Sequence, residues 1–185
     1  AFDDCGVFLA GADLARAARL SKIDLMTHLV YEFPDLQGIV GREYSRESGE
    51  KKEVAEAIGS QYLPKSLSEN YQDLKKEMNF LGAMLGVVDR LDHLTGAFGT
   101  GVQVSGSQDP YALRRAAGSL VKIIRAFNIH FSMNRMLDQA ISFYGNHLTL
   151  KPEELKTKLT KFIEERVVFE LQVKPGTKEY EILLA

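Results

Sequence analysis

The sequence is poor in cysteine, in long apolar runs and in net charge, and each scarcity excludes a class of protein. Its 185 residues include one cysteine, Cys5, which excludes a disulfide scaffold and a cysteine-rich zinc module. No apolar run approaches the roughly 20 residues that a membrane-spanning helix needs. The net charge of −2 excludes a generally basic nucleic-acid coat, although it leaves room for a local basic face.

The motifs of common catalytic sites are also missing. No glycine-rich loop ends in Lys-Ser or Lys-Thr, so a phosphate-cradling nucleotide loop is not expected. No two histidines have the spacing of a zinc-protease helix. An HD phosphohydrolase needs a His-Asp dipeptide to bridge its metals, whereas the four histidines here are followed by Leu29, Leu94, Phe131 and Leu148.

Helical periodicity is present along almost the whole sequence and predicts an all-α fold. Asp109-Pro110 reads as an N-cap followed by the first helical residue. The length allows one domain, or one and the start of another, and we expect a segment of a longer protein. The predicted helices are Ala12–Tyr31, Asp35–Arg46, Lys52–Gln61, Tyr71–Phe98, Asp109–Phe127, Ser132–Tyr144 and Pro152–Val173.

Two groups of acidic residues and histidines have helical spacing. Asp89, Asp92 and His93 fall at i, i+3 and i+4, and Asp24 and His28 at i and i+4. Together they could hold a divalent ion through oxygen and imidazole ligands. The alternative, which the frequency of intrahelical polar contacts favours, is that these residues are structural.

The helix after Asp109 carries the most distinct charge pattern. At about 100° per residue, Arg114, Arg115, Lys122 and Arg125 share roughly a quarter of its circumference. Such a positive ridge suits a phosphate backbone. The alternative is a solvated face, or pairing with nearby carboxylates. The opposite half of the helix is apolar: Ala116, Leu120, Ile123, Ile124 and Phe127.

A shorter basic patch lies between Gly38 and Arg46. Gly41 permits a close approach beside Arg42, and Tyr44 could stack on a base. The alternative is helix packing through the glycine, with Arg42 in a salt bridge.

Several blocks resemble the β subunit of bacterial-type glycyl-tRNA synthetases, in the same order and at compatible spacing. Asp109-Pro110 and Arg114-Arg115 lie in the most specific block. The resemblance covers nearly the whole chain from about Ala12. The matching blocks are Lys22–Leu25, Glu32–Arg42, Tyr62–Pro64, Asp89–Asp92, Gly96–Gly99, Gly106–Arg115 and Phe162–Arg166 with Tyr180.

This resemblance implies a helical bundle with a degenerate HD-like module over residues 1–130 and a helical extension over 131–185. It implies a cytoplasmic, non-catalytic segment that binds tRNA(Gly), around the acceptor stem and its CCA end, beside an α subunit that uses ATP and Mg. No metal or cofactor is expected on the segment itself, and no membrane contact. Arg42, Arg114, Arg115 and Lys122 are the expected tRNA contacts. Lys22, Asp24, Asp89 and Asp92 are expected to be structural, at the positions of a lost HD site.

Two other functions remain open from the sequence. One is a surviving metal phosphohydrolase that uses Asp24, His28, Asp89 and His93. The other is a module that braces neighbouring domains and does not contact RNA.

Overall fold

The computed structural model describes residues 4–104, 109 and 111–171, of which residues 4–10 and 171 are described by their backbone alone. Within these residues every regular element is helical, which confirms the all-α prediction. Gly106–Gln108, Pro110 and Tyr180, which belong to the resemblance, lie outside the described residues. The α-helices are α1 Asp4–Leu20, α2 His28–Glu32, α3 Ile39–Glu47, α4 Lys52–Ser60, α5 Tyr71–Glu77, α6 Phe80–Gly99, α7 Leu113–Phe127, α8 Met133–Tyr144 and α9 Pro152–Leu171.

The chain divides into two compact units, and the division falls inside α6, between Val87 and Val88. The sequence-based boundary at residue 130 lies elsewhere, within the second unit. The assignment of residues 1–130 to an HD-like module therefore stays a prediction from the resemblance.

Unit 1 is built around α4. Its core joins Ala17 of α1, Ile58 of α4 and Leu85 of α6, all nearly or fully inaccessible to solvent. Glycines allow close crossings on two sides of α4. A Cβ on Gly41 of α3 would lie 3.0 Å from a side-chain carbon of Ile58, and a Cβ on Gly82 of α6 would meet Ala57 and Ser60.

The predicted single helix Ala12–Tyr31 is wrong, because the chain breaks twice within it. α1 ends at Leu20, a 3-10 turn follows over Ile23–Met26, and α2 begins at His28. The hydroxyl of Thr27 accepts from the backbone N–H of Val30 and donates to the carbonyl of Asp24. Such hydroxyl bonds to the backbone compete with helix continuation and start a new helix instead.

The predicted helix Tyr71–Phe98 is also broken, into α5 and α6. Met78 adopts an extended conformation and is buried. The side chain of Asn79 then accepts from the backbone N–H of Gly82 at 2.7 Å, as an N-cap does. The predictions for α4, α8 and the start of α9 match the structure to within a residue, and Ser132 caps α8 as expected for that residue type.

Unit 2 is organised by α9, which packs against both α7 and α8. Its core consists of large aliphatic side chains without solvent access, and the rings of Phe98 and Phe162 meet at 4.9 Å between centroids. The fully buried members are Leu94, Leu113, Leu120, Ile123, Leu137, Leu155, Leu159 and Ile163.

Candidate nucleic-acid interface

The start of α7 is fixed by Asp109, which lies four residues before the first helical residue. One carboxylate oxygen accepts from the N–H of Leu113 at 2.7 Å, and the other accepts from the N–H of Arg114 at 3.0 Å. Between them Ala112 takes a left-handed conformation with φ +52°. The predicted N-cap position is therefore wrong, because Ala112 is the N-cap and α7 begins at Leu113, but the Asp109 carboxylate accepts backbone N–H groups as predicted.

This cap holds Arg114 and Arg115 in the first turn of α7. Arg115 is exposed and Arg114 is half-buried. Arg90 of α6 lies in the same unit and is itself buried. Burial lowers the pKa of Arg90, the nearby Arg115 charge lowers it further, and Asp89 opposes both effects. The arginines near this end of α7 thus lie beside two carboxylates, those of Asp89 and Asp109.

The sequence predicted that Lys122 belongs to an exposed positive ridge on α7. In the structure Lys122 is enclosed, so it is not part of such a ridge. It retains only 4% of its accessible surface, and its Nζ lies 3.2 Å from a carboxylate oxygen of Glu170 on α9. The side chains of both partners are almost fully enclosed. α9 therefore covers the middle of the polar side of α7 and leaves Arg115 and Arg125 exposed near its two ends.

The surroundings of Arg42 fit the alternative in which helices pack through a glycine and Arg42 forms a salt bridge. The Nε of Arg42 donates to Glu43 at 2.8 Å, and this hydrogen bond lowers the pKa of the Glu43 carboxyl group. A Cβ on Gly59 of α4 would lie 3.0 Å from the Cβ of Arg42. Arg42 is half-buried, so its aliphatic stem packs between α3 and α4 while its charge is engaged locally.

Asp24 lies at the centre of a buried polar contact in unit 1. It has no solvent access, and its carboxylate accepts from the N–H of Gly38 at 2.6 Å and from the hydroxyl of Tyr62 at 3.0 Å. The ammonium of Lys22 lies over the Tyr62 ring, 4.7 Å from its centroid. Asp24 thereby joins the 3-10 turn, the start of α3 and the segment after α4.

The other acidic residues take polar contacts on α6. Asp89 lies 3.8 Å from Arg90, and the side chain of Asp92 accepts from the hydroxyl of Tyr144 at 2.9 Å. Burial and this hydrogen bond raise the pKa of Tyr144 to about 12.

No group of three or more His, Cys, Asp or Glu side chains is arranged to hold a metal ion within the described part of the chain. His28 and His93 are exposed, whereas Asp24 is enclosed. Because the chain breaks at Thr27, Asp24 and His28 do not share a helix as their spacing predicted. Among the described residues the metal phosphohydrolase interpretation therefore finds no metal site.

Sequence reasoning did not assign roles to Tyr62 and Tyr144, which supply the hydroxyl groups bonded to Asp24 and Asp92. For Tyr62 a signal existed, because Tyr62-Leu63-Pro64 is one of the resembling blocks. For Tyr144 there was none, since its partner lies 52 positions earlier. An open groove of about 560 Å³ on unit 2, lined by Asn134, Lys156 and Lys161 among others, was also not predicted.

Comparison with known proteins settles the ancestry of the chain. The family described as "Glycyl-tRNA synthetase beta subunit" matches residues 4–183. The chain belongs to this family. The resemblance carried by the sequence blocks is thereby confirmed.

Individual relatives of the chain are also beta subunits of glycine–tRNA ligases. It is 44% identical over 156 residues to the glycine–tRNA ligase beta subunit of Desulforudis audaxviator. Identity is 41% over 157 residues to that of Desulforamulus reducens, and 41% over 155 residues to that of Streptococcus pneumoniae. Each match covers 84% of this chain and 22% of the relative. The chain thus spans about a fifth of the length of these beta subunits.

No helix in the described ranges combines the length and the apolar character that crossing a membrane requires.

Proposed function

We propose that this beta-subunit chain helps to hold tRNA(Gly) during aminoacylation, with Arg114 and Arg115 as its principal phosphate contacts. The observation that carries the proposal is the first turn of α7, where the Asp109 cap fixes the backbone and Arg115 is exposed. We infer tRNA(Gly) as the bound molecule from family membership. We assign the acceptor stem with its CCA end to this surface. Lys122 is not among the contacts, because α9 encloses it.

The chemistry of this role is binding and positioning. A guanidinium group matches the geometry of a phosphate with two parallel hydrogen bonds. Phosphate contacts set the register and orientation of a nucleic acid but carry no sequence information themselves. In this proposal the α subunit activates glycine with ATP and Mg, the beta-subunit chain contributes no reacting atom, and the holoenzyme works in the cytoplasm. The HD-like origin of residues 1–130 belongs to the same proposal.

The test measures tRNA(Gly) affinity of the whole synthetase as a function of salt concentration. Arg114→Ala combined with Arg115→Ala should weaken binding, since a charge-assisted hydrogen bond contributes about 1.5–3 kcal/mol. The slope of log affinity against log salt should become shallower by roughly 0.7–0.9 for each phosphate that the variant no longer neutralises. Arg19→Ala is the matched control, because Arg19 is an exposed arginine on α1.

Unchanged affinity and slope in the double variant would refute the proposed contacts. That outcome would favour the bracing alternative, for which the internal engagement of Lys122 and Arg42 is the supporting observation. A decrease in binding free energy per removed charge that is as large in Arg19→Ala as in the double variant would show a general charge effect rather than a site.

A further inference from the structure

Unit 1 exposes eight large apolar side chains within 22 consecutive residues. Met26 is 84% exposed and Tyr31 is 79% exposed, and the others range from more than a third to more than half. We refer to these residues as the apolar surface. Its members are Ile23, Leu25, Met26, Leu29, Tyr31, Phe33, Ile39 and Tyr44.

The elements that carry the apolar surface are neighbours in the fold. The 3-10 turn Ile23–Met26 contacts both α2 and α3, and α2 contacts the following 3-10 turn, Pro34–Leu36. Val30 of α2 and Val40 of α3 are buried beneath these elements. The same elements therefore carry both buried and exposed large apolar side chains, as expected of elements that pack between two neighbours.

The size of the apolar surface exceeds what isolated exposed residues explain. Three of the eight members, Tyr31, Phe33 and Tyr44, are aromatic and at least half exposed. Because an aromatic side chain covers about 150–250 Å² when buried, these three alone expose on the order of a few hundred Å². Soluble monomers rarely expose contiguous apolar patches larger than a few hundred Å², and larger ones mark interaction sites.

The charges around the apolar surface favour a protein over RNA as its occupant. Between residues 22 and 44 the sequence has two cations, Lys22 and Arg42, and four carboxylates. Arg42 is engaged by Glu43. Glu32 and Asp35 are exposed, so this region repels a polyanion rather than attracting it.

The length of the related beta subunits points to a source for the protein segment that covers the apolar surface. Their beta subunits have nearly four-fifths of their length outside the region that matches this chain. Separate chains that form a stable complex typically bury about 800 Å² per partner. A segment tethered in the same polypeptide needs less area, because its effective concentration is already high.

We propose that the apolar surface is the docking site for an apolar face of another segment of the same beta-subunit polypeptide. This inference does not depend on tRNA contacts at α7, and either proposal can fail without the other.

The test compares thiol accessibility in the full-length beta subunit. Met26→Cys and Tyr31→Cys probe the apolar surface, and Phe143→Cys is the control, because Phe143 is 87% exposed on α8. Reaction with a maleimide is followed at each site by peptide mass spectrometry, for the beta subunit alone, with the α subunit, and with tRNA(Gly). In the beta subunit alone we expect the two probe thiols to react at least tenfold more slowly than the control, and denaturant should abolish the difference.

Comparable rates at all three sites in the beta subunit alone would overturn the proposal. Protection that develops only with the α subunit, or only with tRNA(Gly), would also overturn it, because the occupant would then be that partner. Hydroxyl-radical footprinting of the unmodified beta subunit gives an independent measurement at Met26, Tyr31 and Phe33. Low oxidation there supports the proposal, and oxidation as extensive as at Phe143 contradicts it, even if a cysteine variant does not fold.

Discussion

The enclosed ion pair between Lys122 and Glu170 provides a quantitative test of how α7 and α9 pack. The two charged atoms lie 3.2 Å apart, and both side chains are at least nine-tenths enclosed. Lys122→Met removes the cation that lies against the Glu170 carboxylate in this enclosed site. Removing one member of a buried pair costs about 3–5 kcal/mol, whereas a surface pair contributes about 1 kcal/mol or less.

A double-mutant cycle separates the pair from the burial of each side chain. We expect Lys122→Met and Glu170→Met each to lower the free energy of unfolding by several kcal/mol, and the double variant to be destabilised by much less than the sum. For a chain of this length each 1 kcal/mol shifts the melting temperature by about 2–4 °C, so each single variant should melt roughly 6–20 °C lower. Urea denaturation and calorimetry measure both quantities.

The same variants test the placement of Lys122 relative to tRNA. Below its melting temperature, Lys122→Met should leave the salt dependence of tRNA binding unchanged, because the side chain does not reach a phosphate. The reasoning is refuted if Lys122→Met costs less than about 1 kcal/mol of stability. It is equally refuted if that variant makes the salt slope shallower by the roughly 0.7–0.9 expected for one phosphate.

Three further predictions concern single contacts. Ala112→Gly should raise the free energy of unfolding by up to about 1 kcal/mol, because glycine tolerates φ +52° without strain. Ala116→Gly, inside α7, should lower the free energy of unfolding by about 1 kcal/mol, because glycine is a poor helix former. Denaturant unfolding measures both changes. Asp24→Asn should destabilise the protein by about 1–3 kcal/mol, because an amide cannot accept both hydrogen bonds; a decrease below about 0.5 kcal/mol would show that the contact is dispensable. The phenol of Tyr144 has its pKa raised above that of free tyrosine, so the stability it contributes is complete below about pH 10 and is lost as pH rises towards 12. Ultraviolet titration should show a tyrosine transition near pH 12, and Tyr144→Phe should remove it.

The sequence predicted the fold class because apolar periodicity is a property of each segment alone. The prediction of helix boundaries failed where a polar side chain forms a hydrogen bond with the backbone. Thr27 and Asn79 both accept backbone N–H groups that a continuous helix would have used, and neither interruption alters the apolar spacing. Helix breaks of this kind depend on local competition for hydrogen bonds, which periodicity does not measure.

The candidate site was only partly predicted, because helical periodicity does not show which other elements cover a side chain. Helical angles place Arg114, Arg115 and Lys122 on one side of α7, but they do not say which neighbour covers that side. Glu170, 48 positions later in the sequence, encloses Lys122 and leaves Arg115 exposed. The apolar surface of unit 1 was missed because apolar residues in a helical pattern are ordinarily assigned to the core.

Asp109 gives the α7 terminus an internal anion, and this determines how a second anion could be received there. A free helix N-terminus attracts phosphate through its unpaired N–H groups and its dipole. Here the carboxylate already occupies the N–H groups of Leu113 and Arg114. Under the proposed function a phosphate would therefore find these two N–H groups occupied and would be bound by the guanidinium groups, whose long side chains can follow a bending strand.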